Sequence, residues 1–183
     1  MKKIIIGAVF ALAAWSAQAA TFTVDAMANS SSGGTGLDSI TLTAGQAFSV
    51  SSSLNDLWSA GDLPRWSDAN GLTYDRYATA LDDSGQAAGT HIGTDFGIWS
   101  QNGHSAAYGT LVGEIGGQWM TLGANFSGVA PAAGTLHLYY WDSNNGDNSG
   151  SIAFNIAAVP EPSAYLMLGA GLVALSVLRK RKA

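Results

Sequence analysis

Residues 151–156 read SIAFNI, with Ile152, Phe154 and Ile156 at every second position and small or polar residues between them. Side chains alternate between the two faces of a strand, so this pattern predicts a strand with one buried face. The same alternation recurs in TFTVDAM, where Phe22, Val24 and Ala26 share a face. It recurs again at Ile40 and Leu42, then, after a turn at Ala44, Gly45 and Gln46, at Phe48 and Val50. AYGTLVGEI, QWMTLGANF and TLHLYYW complete the set, bringing Leu111, Ile115, Leu136 and Leu138 to the expected core. These runs are rich in Thr, Val, Ile and aromatics and are separated by Gly or Asn clusters. No stretch between the two ends of the chain carries a helical period. About seven or eight short strands in one domain predict an all-β fold, an antiparallel β-sandwich.

The ends read differently. Lys2 and Lys3 precede an apolar run at residues 4–14, and Ala17 and Ala19 put small residues where a signal peptidase cuts. Residues 1–19 are thus expected to be a signal peptide cleaved after Ala19. Near the other end, residues 163–178 are almost wholly apolar, a little short of the roughly 20 residues that a bilayer core asks for. Arg179, Lys180, Arg181 and Lys182 follow directly, and such a basic cluster stays cytoplasmic. A single transmembrane helix, at least transient, is the expectation. It leaves residues 20–158 as one exported domain and 159–183 as a C-terminal segment.

Within 20–158 the charge is one-sided. Arg65 and Arg76 are the basic residues, against eleven Asp and Glu114. A field of that sign attracts cations and leaves no basic footprint for nucleic acid. The chain has no cysteine, which excludes thiol catalysis, disulfides and Cys-based zinc sites.

Residues 142–151, DSNNGDNSGS, contain two carboxylates, three carboxamides and no apolar side chain. The segment joins two predicted strands, expected to be an antiparallel pair that holds its ends. Calcium takes roughly six to eight hard oxygens from carboxylates, carboxamides, carbonyls and water. Asp142, Asn144, Asp147 and Asn148 could supply several within one tight path, without matching the EF-hand spacing. A polar hairpin loop is the alternative reading of the same residues. Residues 54–104 are long-loop in composition, with Trp58, Trp66, Tyr74, Tyr77, Phe96 and Trp99 embedded among Gly, Asp, Ser and Asn. Long ordered loops in compact domains are usually functional.

Two resemblances add to this. Val159, Pro160, Glu161 and Pro162, followed by an apolar span and a basic tail, resemble the PEP-CTERM sorting signal of Gram-negative bacteria. The resemblance implies that an exosortase recognises Pro160, Glu161 and Pro162. It also implies an exported protein, secreted or at the cell surface and associated with extracellular polysaccharide. GTLVGEIG, GTLHLYYWD and GDNSGSIAFNI resemble the signature blocks of the calcium-dependent bacterial galactophilic lectins (LecA-like). That resemblance implies a jelly-roll-type β-sandwich, with Ca2+ held by Asp142, Asp147 and Asn148, the Asn144 carbonyl, and a carbonyl at Ala60 or Gly61. The loop is shorter here than in that family, and the family's sugar-contacting His and Gln have no clean counterpart. His91, Gln101 and His104 are the nearby candidates.

Vicinal sugar hydroxyls can replace waters on such an ion, while an aromatic ring covers the apolar face of the sugar. Trp58, Trp66, Trp99 and His104 are the candidate ligand contacts, with Trp141 a further ring beside the loop. Trp119 is expected in the core. The function expected is therefore calcium-dependent, lectin-like glycan binding without catalysis. One alternative is a structural matrix protein in which calcium is only a staple. The other is a glycan-active enzyme, for which the sequence offers Glu114, Asp82 beside Asp83, and His104 beside Ser105, but no nucleophile elbow.

Overall fold

The computed structural model describes residues 18–159 together with Gly169 and Gly171, the latter two in helical geometry. Gln18–Val159 forms one compact unit. Most of the expected signal peptide, Pro160, Glu161, Pro162 and nearly all of the apolar span lie outside the described residues. Among those described, no helix is long and apolar enough to cross a membrane.

The unit is all-β. In chain order its strands are β1 (Gln18–Asp25), β2 (Leu37–Leu42), β3 (Ala47–Ser51), β4 (Trp58–Ser59), β5 (Trp66–Ser67), β6 (Arg76–Tyr77) and β7 (His91–Gly93). They continue with β8 (Ile98–Gln101), β9 (His104–Ala107), β10 (Leu111–Ile115), β11 (Gln118–Thr121), β12 (Asn125–Val129), β13 (Gly134–Tyr140) and β14 (Ser149–Ala158). The count exceeds the seven or eight strands expected. The surplus is in the aromatic-rich region of residues 54–104, where β4 to β7 are two or three residues long. Such strands are too short to show a period of two, so they read as loop.

The strand ladders are antiparallel. One sheet runs β12-β3-β14-β4-β5 with β1 on β14, and a second runs β11-β10-β13-β2. β6–β7 and β8–β9 are separate hairpins. Strand β14 is the spine of the first sheet. It pairs along its length with β1, in register from Gln18↔Ala158 to Asp25↔Ser151. It also pairs with β3 near its C-terminal end and β4 near its N-terminal end.

The main core draws side chains from both sheets. Val24, Phe48, Val50, Ile152, Phe154 and Ile156 come from one, and Leu42, Leu111, Ile115, Leu136, Leu138 and Tyr140 from the other. The core residues expected from alternation are buried, except that Phe22 and Ile40 are only half-buried against this cluster. Strand β10 buries both faces. Leu111 enters the main core, and the adjacent Val112 packs with Ala106 and Trp141 in a second cluster. Trp99, Trp119 and Tyr139 border that cluster half-buried, so Trp119 is at the rim and not in the core.

One expectation is corrected here. β13 and β14, on either side of residues 142–148, do not pair; they belong to different sheets. The polar segment is therefore a crossover between sheets and not a hairpin loop. Its two ends, Asp142 and Asn148, are buried.

Candidate functional site

Asp142 lies two residues beyond the end of β13, after the buried Trp141, and is 4% exposed. Its backbone is held by Ser31, whose Oγ accepts from Asp142 N at 3.1 Å and donates to the Asp142 carbonyl at 3.0 Å. Its carboxylate accepts from Ser143 N at 2.7 Å. Burial pushes the Asp142 carboxyl above the ordinary carboxylate range, and the charge of Asp147 adds to the rise. Hydrogen bonds from Ser143, Asn148 and Asn144 pull the other way. An ionised group in this position is short of a counter-charge.

Asn148 is 1% exposed. Its Nδ2 donates to the Ala26 carbonyl at 3.1 Å, and its side chain also hydrogen-bonds the Asp142 carboxylate. That leaves Oδ1 buried with no donor. Turning the amide over would set oxygen against the Ala26 oxygen, so the orphan is fixed by its surroundings. A buried carbonyl-type oxygen without a partner costs roughly 1–3 kcal/mol, unless a water or an ion meets it.

Asp147, four residues after Ser143, is exposed and closes the outer side. It accepts from Asn144 Nδ2 at 2.9 Å and lies 3.5 Å from the Arg65 guanidinium. Asn144 is exposed, and its own Oδ1 accepts from Gly146 N at 3.2 Å, which ties the turn together. Gly61 comes from the β4–β5 turn. A Cβ at Gly61 would sit 2.7 Å from Asp147 Oδ2, and its φ of 126° is one that side chains rarely adopt. Only glycine lets the two loops approach this closely. The Gly61 carbonyl accepts from Ser59 Oγ at 2.6 Å.

Four of the five metal-ligand candidates are thus linked in one crossover, Asp142 to Asn148 and Asn144 to Asp147, and Gly61 abuts Asp147. The set has two carboxylates and otherwise neutral oxygens. Among the described residues no group of three or more His, Cys, Asp or Glu could hold a metal. What this set suits is a hard cation that accepts carboxamide and carbonyl oxygen.

The aromatic candidates fare differently. Trp58 is 0% exposed; its Nε1 donates to the Gly109 carbonyl at 2.8 Å and its ring meets Tyr140 edge-on at 4.8 Å. It is a core residue and offers no face to a ligand, because β4 is drawn in beside β14. Trp141 is likewise fully buried, its Nε1 donating to the Trp99 carbonyl at 2.9 Å. Trp66 is half-buried against Leu57, Ala78 and Ile92. Trp99 is half-buried, with Nε1 on Gln101 Oε1 at 3.3 Å.

His104 sits edge-on to Trp141, with Nε2 3.1 Å from Thr121 Oγ1, and burial lowers its pKa. It belongs to the rim of the second cluster. Gln101 accepts from Ser32 Oγ and donates to the Ser31 carbonyl at 3.0 Å, so it ties the β8–β9 hairpin to the Ser31 anchor of Asp142. His91 pairs with Asp75 at 3.3 Å. Of the groups weighed for catalysis, Glu114 accepts from Gly117 N and lies 3.9 Å from His137, and Asp82 caps its own turn through Thr79 and Ser84.

Three residues at the site had no role in the sequence reading. Ser31 anchors Asp142 from a serine run that looks like any loop. Arg65 is one of two basic residues in an acidic domain, a signal that was available. Phe96 lies under the Arg65 guanidinium, 4.5 Å from ring centre to Cζ, and is 40% exposed.

No curated protein matches the chain. Among solved structures, the N-terminal domain of EclA, a PllA-like lectin, is similar at 20% identity and a TM-score of 0.47, over 76% of this chain and 95% of that one. Residues 158–182 match the PEP-CTERM protein-sorting motif, so the chain carries that sorting motif directly after β14.

Proposed function

We propose that the domain is a calcium-dependent carbohydrate-binding protein, exported and sorted through its C-terminal motif to act at extracellular polysaccharide. Asp142, Asp147, the Asn148 Oδ1, and the carbonyls of Asn144 and Gly61 would hold the ion. Sugar hydroxyls would complete its shell. The observation that carries this reading is the buried, unpartnered Asn148 Oδ1 beside a buried carboxylate. An ion of charge 2+ satisfies both at once. The two sheets would pack as a jelly-roll-type sandwich, and an exosortase would act at Pro160, Glu161 and Pro162. No catalytic role is proposed for any residue.

Thermal unfolding with calcium or chelator tests the ion site. Binding to the folded form alone stabilises by about 2.7 kcal/mol at a hundredfold excess over Kd. A clear rise in Tm is expected with millimolar calcium, and no shift would sink the reading. A glycan array run with and without chelator tests the ligand: signals should appear only with calcium. Calcium-dependent stability with no glycan signal would favour the staple, and release of sugar products would favour an enzyme.

A further inference from the structure

We propose that Arg65 makes this site select a saccharide bearing a carboxylate, in the manner of a uronic acid, over its neutral counterpart. The inference rests on the ion site proposed above.

Arg65 NH1 lies 3.5 Å from Asp147 Oδ2, and a Cβ on Gly61 would be 3.1 Å from that same nitrogen. The guanidinium is therefore at the edge of the proposed ion, with its Cζ 4.5 Å over the Phe96 ring centre and a longer bond at 3.4 Å to the Ala60 carbonyl. Its side chain is 37% exposed, so a ligand can reach it.

Charge then decides what the ligand is. Asp142 and Asp147 carry −2, which a calcium ion cancels. Once Asp147 turns to the ion, Arg65 loses its only ion-pair partner among the described residues. Asp62, exposed in the same turn, forms no ion pair among them. Counting Asp142, Asp147, the ion and Arg65, the loaded site is left with a net charge of +1, in a domain whose formal charge is otherwise negative. The only other arginine of the unit, Arg76, is taken up by buried Asp68.

A monoanion completes this arrangement. A guanidinium fork matches a carboxylate with two parallel hydrogen bonds, and the ion accepts carboxylate as well as hydroxyl oxygen. Phe96, edge-on to Tyr108 at 5.1 Å and 40% exposed, supplies the ring surface that Arg65 leaves open as an apolar contact for the sugar's C–H groups.

The test compares D-galacturonate with D-galactose, which differ only at C6, by calorimetry on the full-length protein in detergent, with calcium and with chelator. Calcium-dependent binding is expected, with galacturonate favoured by at least about tenfold, the scale of one charge-assisted contact. Arg65→Gln should remove that preference while keeping the calcium rise in Tm. It should even tighten calcium, since Arg65 no longer competes for Asp147; a merely structural Arg65 would instead lower both. No calcium shift in the wild type overturns the ion site and this inference with it. A calcium shift with equal binding of the two sugars, or binding of neither, overturns this inference alone, as does a preference that survives Arg65→Gln.

Discussion

Two aspartates of this domain are almost equally buried and live in opposite circumstances. Asp68 is 1% exposed and Asp142 4%. Asp68 is fully served: Asn70 N donates to one oxygen at 2.8 Å, while Arg76 and Tyr74 OH donate to the other. Arg76 also reaches the Leu54 carbonyl at 3.1 Å, so the cluster staples the aromatic-rich region together. Asp142 has backbone and amide donors but no cation, and its neighbour Asn148 has an oxygen with no donor at all. The first is a finished polar network, and the second is one group short. Buried networks are worth most when complete and cost most when partial, so the unfinished one is the place to look for a ligand.

The largest expected effect falls on the finished network. Asp68→Ala leaves the Arg76 guanidinium largely buried, with its side chain 15% exposed and no counter-charge. Removing one partner of a buried pair costs about 3–5 kcal/mol. Denaturant unfolding should show this loss with or without calcium. A loss below about 1 kcal/mol, in the range of exposed pairs, would mean that the cluster is no staple.

Asp142→Asn should behave in the contrary way. The amide keeps an acceptor for Ser143 N but removes a buried charge that nothing in the fold neutralises. In chelator its Tm should equal or exceed that of the wild type. With calcium, the rise of about 2.7 kcal/mol at a hundredfold excess over Kd should be largely lost. If Asp142→Asn destabilised the chelated protein as much as Asp68→Ala does, the contrast between the two sites would collapse.

The contrast also marks how far the sequence could be read. Alternation put Ile152, Phe154 and Ile156 inward, and the structure buries all three. A period of two tells which face a strand buries but not which sheet it joins. That is why 142–148 read as a hairpin and is in fact a crossover. The oxygen-rich residue set was plain in the sequence; the orphaned Asn148 Oδ1 was not, because it depends on Ala26, more than a hundred positions away. Trp58 failed as a ligand platform for a related reason. Its burial comes from pairing of the two-residue β4 with the first residues of β14 and from a bond to Gly109, neither visible locally. Asp68 and Arg76 likewise meet only because the short strands of that region bring them together.

A third carboxylate falls between the two extremes and gives the smallest effect. Asp83 accepts from Leu57 N at 2.8 Å, and Asp56 from Ala153 N at 2.8 Å, so each is tied to the fold through one backbone donor. The two carboxyls also meet one another. Burial raises the Asp83 pKa first, and its contact with Asp56 raises it further. An acid with a raised folded pKa binds more protons folded than unfolded, so stability falls as pH rises through the interval between the two values. That interval begins at the unfolded value, 3.8. Asp82 and Asp75 are shifted down and act oppositely, losing stability as pH falls, so only a difference between variants isolates Asp83. Asp83→Asn keeps an oxygen for Leu57 N and removes the charge that faces Asp56. It should match the wild type in acid, where Asp83 is protonated in both states. Above the raised pKa it should become the more stable of the two, by about 1 kcal/mol or less, given partial exposure. Parallel Tm profiles across pH 3–7 for the two proteins would show that the charge of Asp83 costs the fold nothing, and that Asp83 is an ordinary surface carboxylate.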